Sequence, residues 1–358
     1  MHTILHMRVD AGAEMGAGHV MRCLAIACAW MRHGGHVVLL SHALEPKLHA
    51  RLQRLGVTYH PLPARWPDPR DLDTTRAVLQ PLVHGDTGTP WLVLDGYHFD
   101  VPYMAALAEA GIATCVVDDL ADRPYFPAPL VVNPNSYAPE LSYHGPPFLR
   151  ALLGSAYVLL REEFLALPPR PIAQAAAPGS NLLVTMGGGE ASQVLLECLE
   201  ILAGPLVENL HVRIVAGFAC ARYEELTRLA ATQPYPCEVL RAVENMAPLL
   251  AWAHAAVSAA GGSAWELLYA RVPTGLVVLA DNQARVAATL ANAQAALHLG
   301  TAPGLLREPT RASLRQLLTD ATLRQRMLEA GSHVVDGKGA DRIVAAMKEW
   351  SHGRKDRR

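Results

Sequence analysis

Short apolar runs alternate along the chain with longer stretches in which apolar residues recur at helical spacing. In the first half, the apolar runs have the length of buried strands, and stretches such as 101–110 have the pattern of helices. The predicted strands of this half are Ile4–Val9, Val37–Leu40, Val57–His60, Leu92–Leu94, Thr114–Val117 and Leu130–Val132. Because parallel strands need crossover helices, this alternation predicts an α/β fold with a doubly wound parallel sheet.

The alternation stops at 168–181, a Pro- and Ala-rich segment, and then restarts. The predicted strands of the second half are Leu182–Thr185, Val212–Val215, Glu238–Leu240, Ala256–Ser258 and Leu276–Leu279. We therefore predict two Rossmann-like domains, 1–167 and 182–335, joined by a linker over 168–181. A terminal helix with a basic tail, 336–358, is expected to pack back on the first domain. Ligands of open α/β sheets bind beyond the carboxyl ends of the strands, so two facing sheets predict a site in the cleft between them.

Composition narrows the function classes. The 358 residues are 51% hydrophobic, and the formal net charge of −2 gives no basis for binding nucleic acid. No apolar run is long enough to span a membrane, and no signal peptide pattern begins the chain. The 6 cysteines include no CxxC pair, and the 16 histidines show no HExxH motif. We expect a cytoplasmic protein without membrane insertion, bound metal or cofactor, and the oligomeric state stays open.

The loop after the first predicted strand combines glycines with a histidine. Gly16 and Gly18 lie just before His19, and an apolar helix is predicted from Val20 to Trp30. Glycines let a backbone approach a ligand, and the start of a helix offers free N–H groups to an anion. A histidine at this place is suited to proton transfer near neutral pH. A plain strand-to-helix turn with a surface histidine explains the segment equally well.

Two glycine clusters follow strands of the second domain. Gly187 and Gly188 end the strand LLVTM, and Gly261 and Gly262 precede a helix in VSAAGGSAWELL. Backbone N–H groups at such turns can cradle phosphate, which we favour over plain turns because the pattern occurs twice.

The polar side chains near these clusters have competing interpretations. Ser263 and Glu266 fit an S-x-x-E capping box, but a carboxylate such as Glu266 can also bind the hydroxyls of a ribose. Asn282 and Gln283 follow the strand at 276–279 and suit sugar hydroxyls or phosphate oxygens. Asp281 or Asn282 can instead cap the next helix.

Polar residues also follow strands of the first domain. Asp95 and Tyr97 follow the strand at 92–94, and Asp118 and Asp119 follow the strand at 114–117. Carboxylates at these positions can orient a histidine, bind hydroxyls or cap turns. The loop 131–145 is unusually polar and aromatic, with residues Asn133, Asn135, Tyr137 and Tyr143. Such a loop suits an amide-bearing sugar, although a simple surface loop is the alternative.

Seven segments in this order resemble one family. They are GAGHVMR, DDLADR, VNPNSYAPELSYHG, LGSAYVLLREEF, MGGGE, AGGSAWE and LADNQ. Together, over roughly residues 4–345, they are similar to the UDP-sugar hydrolases of pseudaminic acid biosynthesis. Those enzymes cleave UDP-2,4-diacetamido-2,4,6-trideoxy-β-L-altropyranose to UDP and the free sugar. They are related to GT-B glycosyltransferases that build peptidoglycan precursors and to spore-coat polysaccharide proteins. The resemblance implies a GT-B-like fold and a UDP-sugar substrate.

The resemblance also implies roles for single residues. His19 matches the histidine that activates water, and Tyr97 matches a tyrosine near the reacting sugar. Asp10 is added as a catalytic candidate, because either Asp10 or Asp95 can orient His19. The implied substrate-binding residues are Gly16, Gly18, Arg22, Asp95, Asn135, Tyr137, Met186, Gly187, Gly188, Met246, Gly262, Ser263, Glu266, Asn282 and Gln283. The chain departs from the family at Gly96, where a bulkier residue is expected.

The expected reaction is therefore hydrolysis at the anomeric carbon. His19 takes a proton from water, the water attacks the sugar opposite the diphosphate, and the configuration inverts without a metal. A glycosyltransferase would use the same UDP site but accept a sugar hydroxyl, and fold alone does not distinguish the two. A third interpretation is a nucleotide-sugar-binding protein without catalysis.

Overall fold

The structure is a computed structural model that describes residues 4–11, 17–83, 90–168, 170–217, 219–305 and 308–355. The chain divides into two compact units. Unit 1 contains Met1–Arg161 and Gly337–Arg358, and unit 2 contains Glu162–Asp336. Within the described ranges, each helix is too short or too polar to cross a bilayer.

Unit 1 is built on a parallel sheet of seven described strands. They are β1 (Ile4–Val9), β2 (His36–Ser41), β3 (Thr58–Pro61), β4 (Trp91–Asp95), β5 (Ala113–Val117), β6 (Leu130–Asn133) and β7 (Arg150–Leu153). Their order is β3-β2-β1-β4-β5-β6-β7, and every neighbouring pair is parallel. The helices are α1 (Gly18–Arg32), α2 (Pro46–Leu55), α3 (Pro69–Val83) and α4 (Val101–Glu109). The sequence did not predict β7, because this edge strand buries only Leu152 and so lacks an apolar run.

Both faces of this sheet are covered, which explains why its strands are almost continuously apolar. In β4, Trp91 and Val93 belong to the core beneath α1, whereas Leu92 and Leu94 belong to the core beneath α4. Alternate side chains of a strand point to opposite faces, so both sets must be apolar here. Most polar residues of this sheet therefore lie near the ends of the strands, and His6 and Arg8 inside β1 are exceptions.

Unit 2 repeats the plan with six described strands. They are β8 (Asn181–Thr185), β9 (His211–Ala216), β10 (Cys237–Arg241), β11 (Ala255–Ala259), β12 (Thr274–Val278) and β13 (Leu297–Thr301), in the order β10-β9-β8-β11-β12-β13. The helices are α5 (Glu162–Leu165), α6 (Ile172–Ala176), α7 (Ser192–Ile201), α8 (Tyr223–Ala230), α9 (Ala247–Trp252), α10 (Gly262–Tyr269), α11 (Asp281–Asn292), α12 (Glu308–Thr319) and α13 (Ala321–Val334). The edge strand β13 was also missed, since none of its residues is fully buried. Two Rossmann-like parallel sheets confirm the predicted fold class.

The predicted linker over 168–181 lies inside unit 2. Residues Ile172–Ala176 form α6, and Ala175 and Ala176 are buried against α13. The guanidinium of Arg324 in α13 donates to the carbonyl oxygens of Ala176 and Ala175 at 3.0 and 2.7 Å. The prediction of a linker was wrong because a distant buried arginine holds this segment, and no local pattern reveals such a contact.

The last helix, α14 (Gly339–Lys355), belongs to unit 1 and packs on α1. Its residues Ile343, Val344 and Met347 are fully buried in the core beneath α1. The indole N–H of Trp91 donates to Ser351 Oγ at 2.8 Å. The chain therefore leaves unit 1 after β7 and returns to it only at α14.

Candidate functional site

Each sheet has one place where the strand order reverses direction. In unit 1, β1 lies beside β4, with β2 and β3 on one side and β5 to β7 on the other. In unit 2, β8 lies beside β11 in the same way. Connections leave such a point in opposite directions and open a crevice beyond the carboxyl ends of the strands. The segments after these four strands carry His19, Tyr97, Gly187, Gly188 and Gly262. The other predicted residues follow neighbouring strands: Asn135 and Tyr137 follow β6, Met246 follows β10, and Asn282 and Gln283 follow β12.

His19 and Asp95 are brought together at the switch point of unit 1. His19 lies in the first turn of α1, and Asp95 is the last residue of β4. Nδ1 of His19 lies 2.7 Å from Asp95 Oδ1. Because an ionised carboxylate can only accept, this bond assigns the hydrogen of a neutral imidazole to Nδ1 and leaves Nε2 basic. About a tenth of the His19 side chain is exposed, whereas Asp95 is fully buried.

Arg22 lies one turn further along α1 and contacts both residues of the His19–Asp95 pair. Its guanidinium donates to both oxygens of Asp95, at 2.6 Å from Nε and 2.7 Å from Nη2. Nη2 also lies 3.1 Å from Nδ1 of His19. Two donors cannot share a hydrogen bond, so the guanidinium acts on a Nδ1-protonated ring as a nearby positive charge. Arg22, predicted to bind substrate, is thus committed to side chains of the protein.

The charge of Asp95 is fixed by these partners. Burial alone would raise the pKa of Asp95, but Arg22 and His19 together lower it to about 2. Burial raises the pKa of the neighbouring Cys23 thiol well above its usual value, and this thiol lies 3.5 Å from Asp95 Oδ2. Asp95 therefore orients His19 as an anion and is not available to a substrate.

Asp119 joins this pair to the aromatic loop. Its carboxylate accepts from Arg22 Nη1 at 2.9 and 2.8 Å, from Tyr97 Oη at 2.9 Å and from Asn135 Nδ2 at 3.2 Å. The Tyr97 ring lies edge-on to His19 with ring centroids 4.9 Å apart. Tyr97 is 51% exposed and Asn135 half-buried, so both present surface beside His19. The sequence identified Asp119 as a strand-end carboxylate but not as the centre of this cluster.

Asp10 is not the residue that orients His19. Its carboxylate accepts from Arg8 Nη2 at 2.7 Å, from Ser41 Oγ at 3.0 Å and from the backbone N–H of His42 at 2.9 Å. Burial would raise the pKa of Asp10, but His98 and Arg8 hold it far below its usual range. These contacts assign Asp10 to a buried ion-pair network, and the structure decides the alternative left open by the sequence in favour of Asp95.

The rest of that network could not be predicted from sequence. Arg8 also donates to Asp71 of α3, which accepts from Tyr103 Oη at 2.9 Å. His98 Nε2 lies 3.1 Å from Asp10 Oδ2, an ion-pair distance without hydrogen-bond alignment. A Cβ atom at Gly96 would lie 2.7 Å from the His98 ring, which explains why a bulkier residue is missing there. The sequence feature that could have indicated a buried ion pair is Arg8, a charged residue within the apolar strand ILHMRV, but it does not reveal the partners.

Tyr137 supports the aromatic loop from inside. It is buried, and its hydroxyl donates to the carbonyl oxygen of Asp119 at 3.2 Å. Tyr137 thus packs within the loop, and its contact with a sugar stays a prediction, whereas Asn135 is half-buried. Gly18 begins α1 after Ala17, whose side chain makes no cap hydrogen bond. Gly16 lies outside the described residues.

The glycine loops of unit 2 are open where a ligand would approach. Gly187 has a φ of +81°, a conformation that side-chain-bearing residues rarely adopt, and an added Cβ at Gly188 would meet no heavy atom within 4 Å. A Cβ at Gly217, after β9, would instead lie 2.7 Å from the carbonyl oxygen of Gly188. The loops after β8 and β9 therefore approach each other closely, while the outer side of Gly188 stays clear.

Helix α10 starts two residues earlier than a capping box with Ser263 as N-cap requires. Gly261 is its N-cap and makes no side-chain cap bond, so Ser263 and Glu266 are already within the helix. The capping-box interpretation was wrong for this reason. Gly262 is exposed, and Ser263 and Glu266 are half-buried. The N–H groups at the start of α10 are therefore not satisfied by an N-cap side chain.

Gln283 lies between two of the loops. Its Oε1 accepts from the backbone N–H of Leu279 at 3.0 Å, and its Nε2 would lie 3.7 Å from a Cβ atom at Gly261. The N-cap of α11 is Ala280, so neither Asp281 nor Asn282 is the N-cap residue of this helix. Asn282 is exposed. The amide nitrogen of Gln283 is thus presented beside the start of α10.

Two predicted binding residues pack inside unit 2. Met186 is 5% exposed in the core beneath α7, and Met246 is 8% exposed in the core beneath α9. Both side chains pack in these cores, and their contacts with a substrate stay predictions.

Across the described residues, three or more His, Cys, Asp or Glu side chains never converge as a metal site would require.

Comparison with solved structures defines the fold class. The chain is similar to MurG from Acinetobacter baumannii, with a TM-score of 0.67 at 17% identity, covering 97% of this chain and 99% of the other. It is also similar to UGT2 from Phytolacca americana, solved with UDP-2-fluoroglucose and pterostilbene, with a TM-score of 0.63 at 15% identity, covering 97% and 99%. The two Rossmann-like units thus have the GT-B fold.

One curated protein is related in sequence. The chain is 26% identical over 208 residues to the spore coat polysaccharide biosynthesis protein SpsG of Bacillus subtilis (strain 168). The match covers 58% of this chain and 58% of that protein, so the chain spans less than two thirds of its relative. No protein-family model matches the chain.

Proposed function

We propose that this protein is a UDP-sugar-using enzyme that displaces UDP from the anomeric carbon of a sugar. The observation that carries the proposal is the bond between His19 Nδ1 and the buried anion of Asp95, 2.7 Å long, at the switch point of unit 1. It leaves Nε2 of His19 as a base at the place where α/β folds bind ligands. A structural relative supports the ligand class, since the UGT2 structure contains UDP-2-fluoroglucose.

In the proposed reaction, His19 Nε2 takes the proton from the hydroxyl of the nucleophile. The oxygen of the nucleophile forms a bond to C1 as the bond between C1 and the diphosphate oxygen breaks. The electron pair of that bond leaves with UDP, and the configuration at C1 inverts. The open backbone at Gly187, Gly188 and the start of α10 holds the diphosphate and offsets its growing negative charge. The cleft expected from the sequence stays a prediction.

The comparisons favour transfer to an acceptor hydroxyl over hydrolysis. The UGT2 structure contains an acceptor-like phenol, pterostilbene, besides the nucleotide sugar, and the related SpsG is named for polysaccharide biosynthesis. Glycosyl transfer is therefore our first candidate reaction. Hydrolysis is the second, because the seven sequence segments resemble the hydrolases of pseudaminic acid biosynthesis. In either reaction His19 activates the attacking hydroxyl.

The test separates these reactions by UDP release. Purified protein is mixed with UDP-glucose, UDP-N-acetylglucosamine or UDP-2,4-diacetamido-2,4,6-trideoxy-β-L-altropyranose, each with and without a pool of sugar acceptors. Release that needs an acceptor supports transfer, whereas steady release in its absence supports hydrolysis. No release and no UDP binding by calorimetry would overturn the proposal.

His19→Gln tests the base. A general base contributes about 10²–10⁴ in rate, so turnover should fall by this factor while UDP still binds. His33→Gln, at the exposed carboxyl end of the same helix, is the matched control and should keep full turnover.

A further inference from the structure

Asp119 occupies an unusual position beside the His19–Asp95 pair. It does not contact His19, yet both of its oxygens accept from the guanidinium nitrogen Nη1 of Arg22. The other edge of that guanidinium is bound to Asp95. One arginine is therefore shared between two carboxylates, of which only Asp95 contacts the imidazole.

The charges of this cluster can be counted from its contacts. The side chains that contact His19, Asp95 or Arg22 are Asp95 at the end of β4, Arg22 and Cys23 on α1, Tyr97 after β4, and Asp119 after β5. Further out, Arg123 and Asp118 pair with each other at 2.7 Å and add no net charge, and burial keeps the Cys115 thiol of β5 uncharged. Cys23 and Tyr97 are uncharged, because burial raises the pKa of both groups above their usual values. Among the described residues of the cluster, the fixed charges are one arginine and two carboxylates.

We propose that Asp119 is a positioning residue that sets the basicity of His19 by balancing the positive charge of Arg22, which lies directly beside the His19–Asp95 pair. With His19 neutral, the cluster carries one net negative charge, so a proton on the imidazole neutralises it. Without Asp119, the same proton would leave a net positive charge next to Arg22. Without Arg22, Asp95 would act on the imidazole alone.

The proposal predicts shifts of opposite sign for two substitutions in one salt-bridge network. Asp119→Asn keeps the shape of the side chain but removes its charge and one of its two acceptor oxygens, so His19 should take up its proton at lower pH. Arg22→Gln removes the positive charge 3.1 Å from Nδ1, so His19 should take up its proton at higher pH. Opposite charges within about 4–6 Å move such titrations by about one unit or more, and shifts of at least half a unit are expected here.

The measurement is the NMR titration of the His19 ring in the full chain, assigned by the signal that disappears in His19→Asn. It needs no substrate. Asp122→Asn removes an equal charge from an exposed aspartate three residues along the same loop and should leave the midpoint within about 0.2 units. If Arg22→Gln does not fold, Arg22→Lys, which keeps the charge and loses the fork, should give a smaller upward shift.

The outcomes separate this inference from the proposed function, on which its catalytic meaning rests. Shifts in the same direction, or no shift in either variant, would overturn the role of Asp119 and show that the cluster only holds the loop. Opposite shifts without UDP release would support the network and overturn the proposed function. In an active enzyme, the acidic limb of the kcat/KM profile should move with the NMR midpoint in each variant.

Discussion

The buried carboxylate of Asp95 lies 2.7 Å from Nδ1 of His19, although 76 positions separate the two residues in the chain. The parallel pairing of β1 with β4 creates this contact, because it sets Val9 opposite Asp95 and brings the loop after β1 to the end of β4. In this geometry the anion of Asp95 orients the base His19. Substitutions of the two residues should therefore have different measurable effects.

Asp95→Asn should lower turnover more than it lowers binding. An asparagine can offer its N–H to Nδ1 and so favour the wrong tautomer of His19, with the proton on Nε2. We expect kcat to fall by about 10²–10⁴ with less than a tenfold change in the Kd of UDP, measured by steady-state kinetics and calorimetry. Asp100→Asn is the control, since asparagine also caps α4 well, and it should keep wild-type kcat. An unchanged kcat in Asp95→Asn would exclude a role for this carboxylate.

Gly188→Ala should weaken UDP binding without unfolding unit 2. The added methyl meets no heavy atom of the protein within 4 Å, so the melting temperature should stay within about 2 °C. The same methyl would occupy space that a phosphate needs to reach the backbone N–H groups, and a loss of at least about tenfold in affinity is expected. Gly353→Ala, equally open but in α14, should bind UDP normally. Equal affinities in calorimetry would remove this loop from the phosphate site.

Because His6 is buried, we expect the unfolding free energy of unit 1 to be lower in mild acid than at neutral pH. Burial, helped by the nearby His60, lowers the pKa of His6 from 6.5 to about 4. Between these values the unfolded chain binds a proton that the folded chain does not, so the unfolding free energy falls as pH falls. The loss is about 1.4 kcal/mol per pH unit, or roughly 2 kcal/mol from pH 6.5 to pH 5.

Urea unfolding at several pH values measures this dependence. His6→Leu should lose that part of the slope below pH 6.5, whereas His33→Leu, an exposed control, should keep it. A slope that is the same in wild type and His6→Leu would show that other groups cause the acid sensitivity.

Arg324→Lys should destabilise unit 2. The guanidinium is 1% exposed and donates to the carbonyl oxygens of Ala175, Ala176 and Leu317, and burial lowers its pKa to about 10. A lysine cannot reproduce this fork, so at least one buried carbonyl loses its partner at a cost of about 1–3 kcal/mol. Arg326→Lys, on the exposed side of the same helix, should change the unfolding free energy by less than about 0.5 kcal/mol.

The buried strands were predictable from sequence because their apolar runs are continuous, and His19 was predictable because a histidine follows glycines at a helix start. Local patterns failed where the deciding contact is distant. The edge strands β7 and β13 bury too little to leave an apolar run. The segment at 168–181 is fixed by Arg324, about 150 positions further along the chain.

In the candidate site, too, the sequence indicates some residues, whereas contacts between distant residues determine their roles. The sequence left Asp10 and Asp95 as alternative partners of His19, and the hydrogen bonds of the folded chain decide for Asp95. Met186, Met246 and Tyr137 have side chains that suit either a ligand or a core, and the structure shows them packed in a core. The role of Asp119 depends on a hydrogen bond to Arg22 across 97 positions, which no spacing rule reveals.

Because α14 belongs to unit 1, the two units can complete their cores at different stages of synthesis on the ribosome. Unit 2 is one uninterrupted segment and can complete its core while synthesis continues. The sheet of unit 1 emerges first but must wait for Ile343, Val344 and Met347, leaving Val20 and its apolar neighbours uncovered in the nascent protein. Expression with a stop codon before α14 should therefore yield a chain in which unit 2 is folded. Unit 1 should expose apolar surface and depend on chaperones.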